Sequence, residues 1–150
     1  MIFVTGGTGL VGSHILLNLS QGGHSFKALK RKTSSLKVCE NIFSHYNAEK
    51  LFQKIIWVDG DVNDIPSLER GMSGCNKIIH AAAIVSFHQE DAEMMYKINV
   101  IGTENVMNVA LNSEIKKVAH ISSIAAIGTN ENDQIIDESC LFKQNKKDSN

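Results

Sequence analysis

The chain opens with Met1-Ile-Phe-Val-Thr-Gly-Gly-Thr-Gly-Leu-Val-Gly12, an apolar run followed directly by a glycine-rich turn. The apolar run predicts a strand, and the residues after the turn predict a helix that begins near Leu10. The spacing of Gly6, Gly9 and Gly12 is typical of a turn that binds a dinucleotide pyrophosphate. The first glycine permits the tight turn, the second admits the phosphates, and the third lets the helix pack close to the strand. The N-terminus of that helix offers unpaired N–H groups to the phosphates.

Apolar strand patterns and amphipathic helix patterns alternate along the rest of the chain. Alternation of this kind predicts a parallel sheet that is covered by helices on both faces. Together with the glycine turn after the first strand, this predicts an α/β fold class, a Rossmann-type doubly wound sheet with about five strands in the order 3-2-1-4-5. We expect strands at 2–4, 25–29, 54–58, 77–80 and 118–122, and helices at 10–21, 48–53, 65–72 and 91–112, with 33–53 otherwise irregular.

Local signals refine two of these helices. In helix 10–21 the apolar spacing places Val11, Ile15, Leu16 and Leu19 on the buried side. Helix 65–72 is expected to begin after Asp64 as its N-cap, with a proline in its first turn.

Ligands of such sheets bind outside the C-terminal ends of the strands. The residues at those ends are expected to meet at one crevice, and they are Thr5, Gly6, Arg31, Asp61, Ala81, Ser122 and Ser123.

Composition limits the classes of function. A chain of 150 residues has room for one domain, and a net charge of −1 argues against a nucleic-acid or membrane surface. Three cysteines without metal-ligand spacing indicate a reduced, cytoplasmic protein, and the scattered histidines predict no metal site. The apolar run at the N-terminus ends at Val4, so we expect neither a secretory signal nor a membrane span.

Five motifs in order resemble the N-terminal part of an extended short-chain dehydrogenase/reductase. The likeness is greatest to the NAD(P)-dependent epimerase/dehydratase family, in its dihydroflavonol-reductase-like and 3β-hydroxysteroid-dehydrogenase-like branches. It extends over nearly all of the chain. The motifs are Thr5-Gly-Gly-Thr-Gly-Leu-Val-Gly12, Gly60-Asp-Val62, His80-Ala-Ala-Ala83, Asn99-Val-Ile-Gly-Thr103 and His120-Ile-Ser-Ser-Ile-Ala-Ala-Ile-Gly128.

The resemblance implies a role for each motif. Asp61 and Val62 would contact the adenine, and residues 81–83 would flank the nicotinamide. Asn99 would tie the long helix to the neighbouring strand through main-chain hydrogen bonds. Ser123 would be the catalytic serine, with Ser122 as the alternative register. The implied cofactor-binding set is Thr5, Gly6, Thr8, Gly9, Leu10, Val11, Gly12, Arg31, Asp61, Val62, Ala81, Ala82, Ala83 and Asn99.

Plainer interpretations stay open for several of these residues. Asp61 is also explained as an ordinary loop acid, and the two serines as capping of a strand end. His80 is better explained by packing or local hydrogen bonding than by a role as a base. Residues 86–88 follow the fourth strand, and we hypothesise that they border the substrate cleft.

The end of the second strand bears on the choice of cofactor. NAD sites usually place an acidic residue there to accept from the ribose 2′-hydroxyl. Here the chain has Lys30, Arg31 and Lys32. A guanidinium can bind a 2′-phosphate with two hydrogen bonds, which favours NADP with Arg31 as its contact and the lysines in support. NAD is the alternative cofactor, and a solvated basic turn is the plain alternative for these side chains.

The resemblance also implies a Tyr-x-x-x-Lys pair on one helical face, in which the lysine lowers the pKa of the tyrosine. The literal match, Tyr46 to Lys50, precedes the third strand, whereas the family's pair follows the serine-bearing fifth strand. We reject this match and expect the pair beyond Asn150. The chain is therefore expected to be an incomplete Rossmann domain that lacks the catalytic helix and the substrate domain.

The sequence thus favours an NADP-dependent oxidoreductase that acts on a ketone or secondary alcohol, with this chain supplying the cofactor-binding part. We expect a small-molecule substrate, and a homodimer in the full-length form. One alternative is a nucleotide-sugar epimerase or dehydratase with bound NAD, which the basic strand end disfavours. Another is a noncatalytic dinucleotide-binding module.

Overall fold

The structure, a computed structural model, describes residues 1–126 and residue 137. The chain divides into two units, Met1–His120 and Ile121–Asn150. In the second unit, residues Ile124–Ala126 form a short 3₁₀ turn, and the Ala126 N–H donates to the Ser123 carbonyl oxygen at 3.0 Å. The residues from 127 to 136 and from 138 onward, where part of the last motif falls, lie outside the described residues.

The first unit is built on a five-stranded parallel sheet in the order β3-β2-β1-β4-β5. The strand order and the parallel pairing confirm the fold predicted from the sequence. The strands are β1 (Ile2–Thr5), β2 (Phe26–Lys30), β3 (Ile56–Asp59), β4 (Lys77–His80) and β5 (Lys117–His120).

Helices connect successive strands. The α-helices are α1 (Leu10–Gln21), α2 (Lys37–His45), α3 (Glu49–Phe52), α4 (Ile65–Met72), α5 (Ala92–Tyr96) and α6 (Gly102–Leu111). The long helix predicted at 91–112 is a run of four pieces: a 3₁₀ turn at Gln89–Asp91, then α5, a π-helical turn at Lys97–Ile101, and α6. No helix in the described part of the chain is long and apolar enough to cross a membrane.

Two apolar clusters cover the two faces of the sheet. Phe3 belongs to one, with Leu68 of α4 and Val106 of α6. Its neighbour Val4 belongs to the other, with Phe43 of α2. Successive side chains of a strand point to opposite faces, so both must be apolar when both faces are covered. This is why consecutive positions of the central strand β1 are apolar.

The predicted buried side of α1 is confirmed at Leu16, which is fully buried, and at Ile15 and Leu19, which pack partly buried against the same cluster, but it is wrong at Val11. Val11 is 54% exposed, and the buried positions are Gly12, Ser13, Leu16 and Leu17. The Ser13 hydroxyl donates to the carbonyl oxygens of Gly7 and Gly9 at 3.1 and 2.7 Å. Small residues at 12 and 13 let this side of the helix approach the turn, and that contact fixes the rotation of the helix.

Helix α2 was not predicted, because the segment is polar apart from a few positions. Cys39 and Phe43, four residues apart, are both fully buried, and this single pair anchors the helix. The predicted N-cap of α4 is also corrected in part. Asp64 occupies the cap position, but its side chain makes no capping hydrogen bond. Its carbonyl oxygen accepts instead from the Ser67 N–H at 3.0 Å and the Ser67 hydroxyl at 2.8 Å.

Candidate cofactor site

A crevice opens at the C-terminal ends of β1, β2 and β4. Most of the residues predicted at the strand ends line it together. The lining residues are Gly6, Thr8, Gly9, Leu29, Lys30, Arg31, Ser34, Asp61, Val62, Ala81, Ala82, Ala83, Ile84 and Ile98.

The three glycines of the opening turn differ in what surrounds them. Gly6 has a φ of +74°, and a Cβ there would lie 2.5 Å from the Ala82 nitrogen. A Cβ on Gly12 would lie 2.6 Å from the carbonyl carbon of Gly6. A Cβ on Gly9 would meet no protein atom nearer than 3.5 Å. The first and third glycines are therefore required by the fold itself, whereas Gly9 leaves space open at the crevice.

Two other residues of the motif do not line the crevice. The side chains of Leu10 and Val11 are 66% and 54% exposed, and they border a separate apolar groove with Ile15 and Leu19. The prediction that they contact the cofactor is thus limited to their main chain. As first-turn residues of α1, they carry N–H groups without an intrahelical acceptor.

The basic rim of the crevice contains Lys30 and Arg31, which differ in whether a described residue pairs with them. The Lys30 ammonium lies 2.5 Å from the Asp59 carboxylate on the neighbouring strand, so it is held by a partner that the sequence prediction did not include. This hydrogen bond holds the pKa of Asp59 below its usual value. Among the described residues, the Arg31 guanidinium has neither a hydrogen bond nor an ion pair. Lys32 is exposed and does not line the crevice.

Asp61 is oriented by its own loop. Its Oδ1 accepts from the Asn63 N–H at 2.9 Å and from the Asn63 amide at 3.3 Å. The Asp61 N–H is 3.0 Å from the Ser67 hydroxyl. Its Oδ2 accepts no hydrogen bond from any residue that the structure describes. Asp61 is therefore fixed through one oxygen, and the other keeps its capacity to accept.

The segment that follows β4 is held by two side chains of neighbouring elements. Asn99, in the π-helical turn, donates to the Ile84 carbonyl oxygen and accepts from the Ile84 N–H, both at 2.8 Å. Asn99 itself does not line the crevice. Thr5 is fully buried, and its hydroxyl oxygen accepts from the Ala82 N–H at 3.3 Å. These two predicted cofactor residues therefore contact the wall of the crevice rather than its interior.

His80 ends β4 in full burial. Its Nδ1 lies 2.6 Å from the Thr5 hydroxyl, and its Nε2 lies 3.0 Å from the Thr103 hydroxyl. The ring stacks on His120, with centroids 5.2 Å apart. Burial, with a smaller contribution from His120, lowers the pKa of His80 to about 4. The neutral ring is thus a hydrogen-bonded core residue, in agreement with its interpretation from the sequence.

The remaining predicted residues lie away from this crevice or outside its unit. Ser122 and Ser123 are exposed residues of the second unit, whereas the described residues that line the crevice belong to the first unit. Tyr46 is the C-cap residue that follows α2, and Lys50 lies in α3. Because no single helix contains both residues, they do not form the one-turn pair on a shared helical face. Within the described residues, no group of three His, Cys, Asp or Glu side chains could hold a metal ion.

Sequence reasoning missed several residues of the site. Asp59 could have been found from the register of β2 and β3, which pairs it with Lys30. Ser34 accepts from the Arg31 N–H at 3.2 Å and shapes the rim. Thr103 offered no signal, because its role depends on a contact with a distant strand.

The sheet order and the glycine turn at its C-terminal edge define a Rossmann-type dinucleotide-binding fold. The chain belongs to the 3-beta hydroxysteroid dehydrogenase/isomerase family, whose model matches residues 3–149. Members of this family are oxidoreductases and epimerases.

Individual relatives agree with this assignment. A putative dihydroflavonol 4-reductase of Synechocystis sp. is 38% identical over 91% of this chain and 36% of its own length. The crystal structure of gox2253 is 32% identical, with a TM-score of 0.71 over 89% of this chain and 37% of that one. UDP-glucose 4-epimerase from Bifidobacterium longum, in complex with NAD⁺ and UDP, is 25% identical, with a TM-score of 0.70 over 89% of this chain and 40% of that one. The chain thus spans little more than a third of the length of the relatives it matches.

Proposed function

We propose that this chain is the cofactor-binding part of a longer NADP-dependent oxidoreductase that acts on a ketone or secondary alcohol. The observation that carries the proposal is the meeting, at one crevice, of the glycine turn and the Arg31 guanidinium, which has no partner within the described part of the chain. In a dinucleotide with a 2′-phosphate, the pyrophosphate would bind at the glycine turn, and the dianionic 2′-phosphate would bind the guanidinium.

The chemistry of the lining residues fits such a cofactor. The open space at Gly9 admits a pyrophosphate close to the main chain, beside the unpaired N–H groups of α1. The available Oδ2 of Asp61 suits the amino group of an adenine, and Val62 offers an apolar contact. Residues 81–83 have small side chains, which leave room for the nicotinamide. When bound, the cofactor supplies or accepts the hydride.

The catalytic groups complete the proposal. Ser123, with Ser122 as the alternative, would hold the substrate oxygen through its hydroxyl. The proton would be exchanged by the tyrosine of a Tyr-x-x-x-Lys pair, which the resemblance implies for the longer protein. A substrate of the ketone or secondary-alcohol class follows from this pair of roles.

An epimerase or dehydratase with NAD is the second candidate function. Two observations favour it: the similarity to the Bifidobacterium longum epimerase, and the Asp59 carboxylate beside the end of β2. The two candidates differ in the cofactor that they bind more tightly. NAD has no 2′-phosphate, so a guanidinium at that position does not increase the affinity for NAD.

Calorimetric titration of the chain with NADP⁺ and NAD⁺ tests the proposal. We expect tighter binding of NADP⁺, and we expect Arg31→Asp to weaken NADP⁺ binding by about 10- to 100-fold, the value of a charge-assisted contact. NAD⁺ binding should change by less than about threefold. Lys32→Asp is the matched control, since it makes the same charge change at an exposed residue outside the crevice. Equal losses for the two dinucleotides would overturn the assignment of NADP.

A further inference from the structure

A line of three hydrogen-bonded side chains, two of them fully buried, lies behind residues 81–83, and the function proposed above does not use it. Thr5 ends β1, His80 ends β4, and Thr103 lies in α6. The imidazole bridges the two hydroxyls, at 2.6 Å on the Nδ1 side and 3.0 Å on the Nε2 side. The ring therefore joins two strand ends to the helix that covers them.

The line reaches the crevice through main-chain groups. The Ala82 N–H donates to the Thr5 hydroxyl oxygen, and the Ala81 N–H donates to the Thr5 carbonyl oxygen, both at 3.3 Å. Gly6 follows Thr5 directly and packs against the same main chain so closely that a Cβ would overlap it. The glycine turn and residues 81–83 therefore depend on one another for their positions.

The order of the hydrogens follows from the full burial of Thr5. Its hydroxyl oxygen accepts from the Ala82 N–H, and its own hydrogen has His80 Nδ1 as its acceptor among the described residues. Nε2 then carries the ring hydrogen and donates it to the Thr103 oxygen. A neutral ring with its hydrogen on Nε2 thus gives each ring nitrogen a hydrogen-bond partner, and the partly exposed Thr103 hydroxyl keeps its own hydrogen.

The same wall is held again one residue beyond residues 81–83. Asn99 makes two hydrogen bonds to Ile84, both at 2.8 Å. Residues 81–84 thus have their main chain fixed at one end by the hydroxyl–imidazole line and at the other by a carboxamide.

We propose that His80 is a positioning residue of the dinucleotide site, which fixes residues 81–83 against the Gly6 turn through Thr5 and Thr103. The proposal rests on the proposed function, because a bound dinucleotide is what would contact this wall. His80 itself would touch no part of the ligand. Its effect on binding would be transmitted by the Ala82 main chain.

Isosteric substitutions of the threonines test the proposal with the full chain and NADP⁺ as the probe. Thr5→Val keeps the shape of the side chain but removes the hydroxyl, so we expect about tenfold weaker binding. Thr5→Ser keeps the hydroxyl and should bind within about twofold of the wild type. Thr103→Val acts only through the ring and should weaken binding about threefold. Binding is measured where every variant is fully folded.

A control for stability alone comes from the opposite face of the sheet. Phe43→Leu disturbs the cluster around α2 and makes no change near the crevice wall. We expect it to lower the urea midpoint while leaving the NADP⁺ dissociation constant within about twofold of the wild type. If the threonine variants weaken NADP⁺ binding and Phe43→Leu does not, the effect on binding comes from the position of residues 81–83 and not from lower stability.

The position of the ring hydrogen gives a second readout. Long-range ¹H–¹⁵N spectra should show the Nε2–H tautomer for His80 in the wild type. Wild-type affinity in both valine variants, or a ring hydrogen on Nδ1, would overturn the inference while leaving the proposed function intact. Failure of the wild-type chain to bind either dinucleotide would overturn both.

Discussion

Substitution of Gly12 by alanine tests the packing of α1 against the glycine turn. The added Cβ would lie 2.6 Å from the Gly6 carbonyl carbon and 2.9 Å from the Gly7 Cα, whereas ordinary contact begins near 3.4 Å. These neighbours are main-chain atoms, which cannot rotate away, so we expect a cost of about 3 kcal/mol, the upper end for overpacking. Alanine regains up to about 1 kcal/mol as a better helix former. The net loss of unfolding free energy should be about 2 kcal/mol.

Urea unfolding of the chain measures this loss. With a denaturant dependence of about 2 kcal/mol per molar urea, the midpoint should fall by about 1 M. Gly9→Ala is the matched control from the same turn. Its φ of −88° suits alanine, and its Cβ would meet no protein atom nearer than 3.5 Å. A worse N-cap and a less flexible unfolded chain nearly cancel, so the midpoint should stay within about 0.3 M of the wild type.

The same two variants distinguish a glycine that is required for stability from a glycine that is required for dinucleotide binding. Under the proposed function, the methyl group of Gly9→Ala occupies the space left for the pyrophosphate and should weaken NADP⁺ binding at least about tenfold. The reasoning is refuted if Gly12→Ala unfolds at the wild-type urea concentration. It is also refuted if Gly9→Ala loses as much stability as Gly12→Ala.

Three further predictions concern the core, the pH dependence and the rim. Phe43→Ala should cost about 3–5 kcal/mol in urea unfolding, because a fully buried aromatic anchors α2, and a loss below about 1 kcal/mol would mean that α2 is dispensable. The pKa of His80 is lowered to about 4, so the unfolded chain binds a proton below pH 6.5 that the folded chain does not. Stability should therefore fall by up to about 3 kcal/mol from pH 7 to pH 4, and His80→Asn should flatten this part of the profile. Asp59→Asn removes a carboxylate beside the basic rim and should raise the preference for NADP⁺ over NAD⁺ about fivefold, and an unchanged ratio of dissociation constants would refute this.

Much of the fold could be predicted because its signals are local. The bounds of α1, α4 and β4 match the structure. Helix α1 is closed by glycine, and helix α4 carries proline in its first turn. The parallel sheet follows from the alternation of element types, and its strand order from the glycine turn after the first strand, which is typical of the Rossmann arrangement. The element bounds and the strand order both depend on short stretches of sequence whose conformational preference is the same in isolation and in the folded protein.

The errors arise where distant contacts decide. The rotation of α1 depends on how close Gly12 comes to the turn, so Val11 is exposed despite its apolar side chain. Helix α2 depends on two buried positions that have nothing to pack against until the sheet exists. At the site, residue types and spacing located the turn and Arg31, but the partners of Lys30 and His80 lie on other strands and helices.

The π-helical turn at Lys97–Ile101 makes the long helix two helices that are out of phase. An α-helix rotates by about 100° per residue, and a π turn holds one residue more than an α turn. Asn99 can therefore point to Ile84 while, one turn later, Gly102 faces Val62, where a Cβ would lie 2.6 Å from a methyl carbon. If all five residues of this turn took α-helical geometry instead, everything on its N-terminal side would turn by about a quarter of a circle. The extra residue thus sets the rotation of one half of the helix relative to the other. A regular α-helix could not make the contact of Asn99 with Ile84 and that of Gly102 with Val62 at the same time.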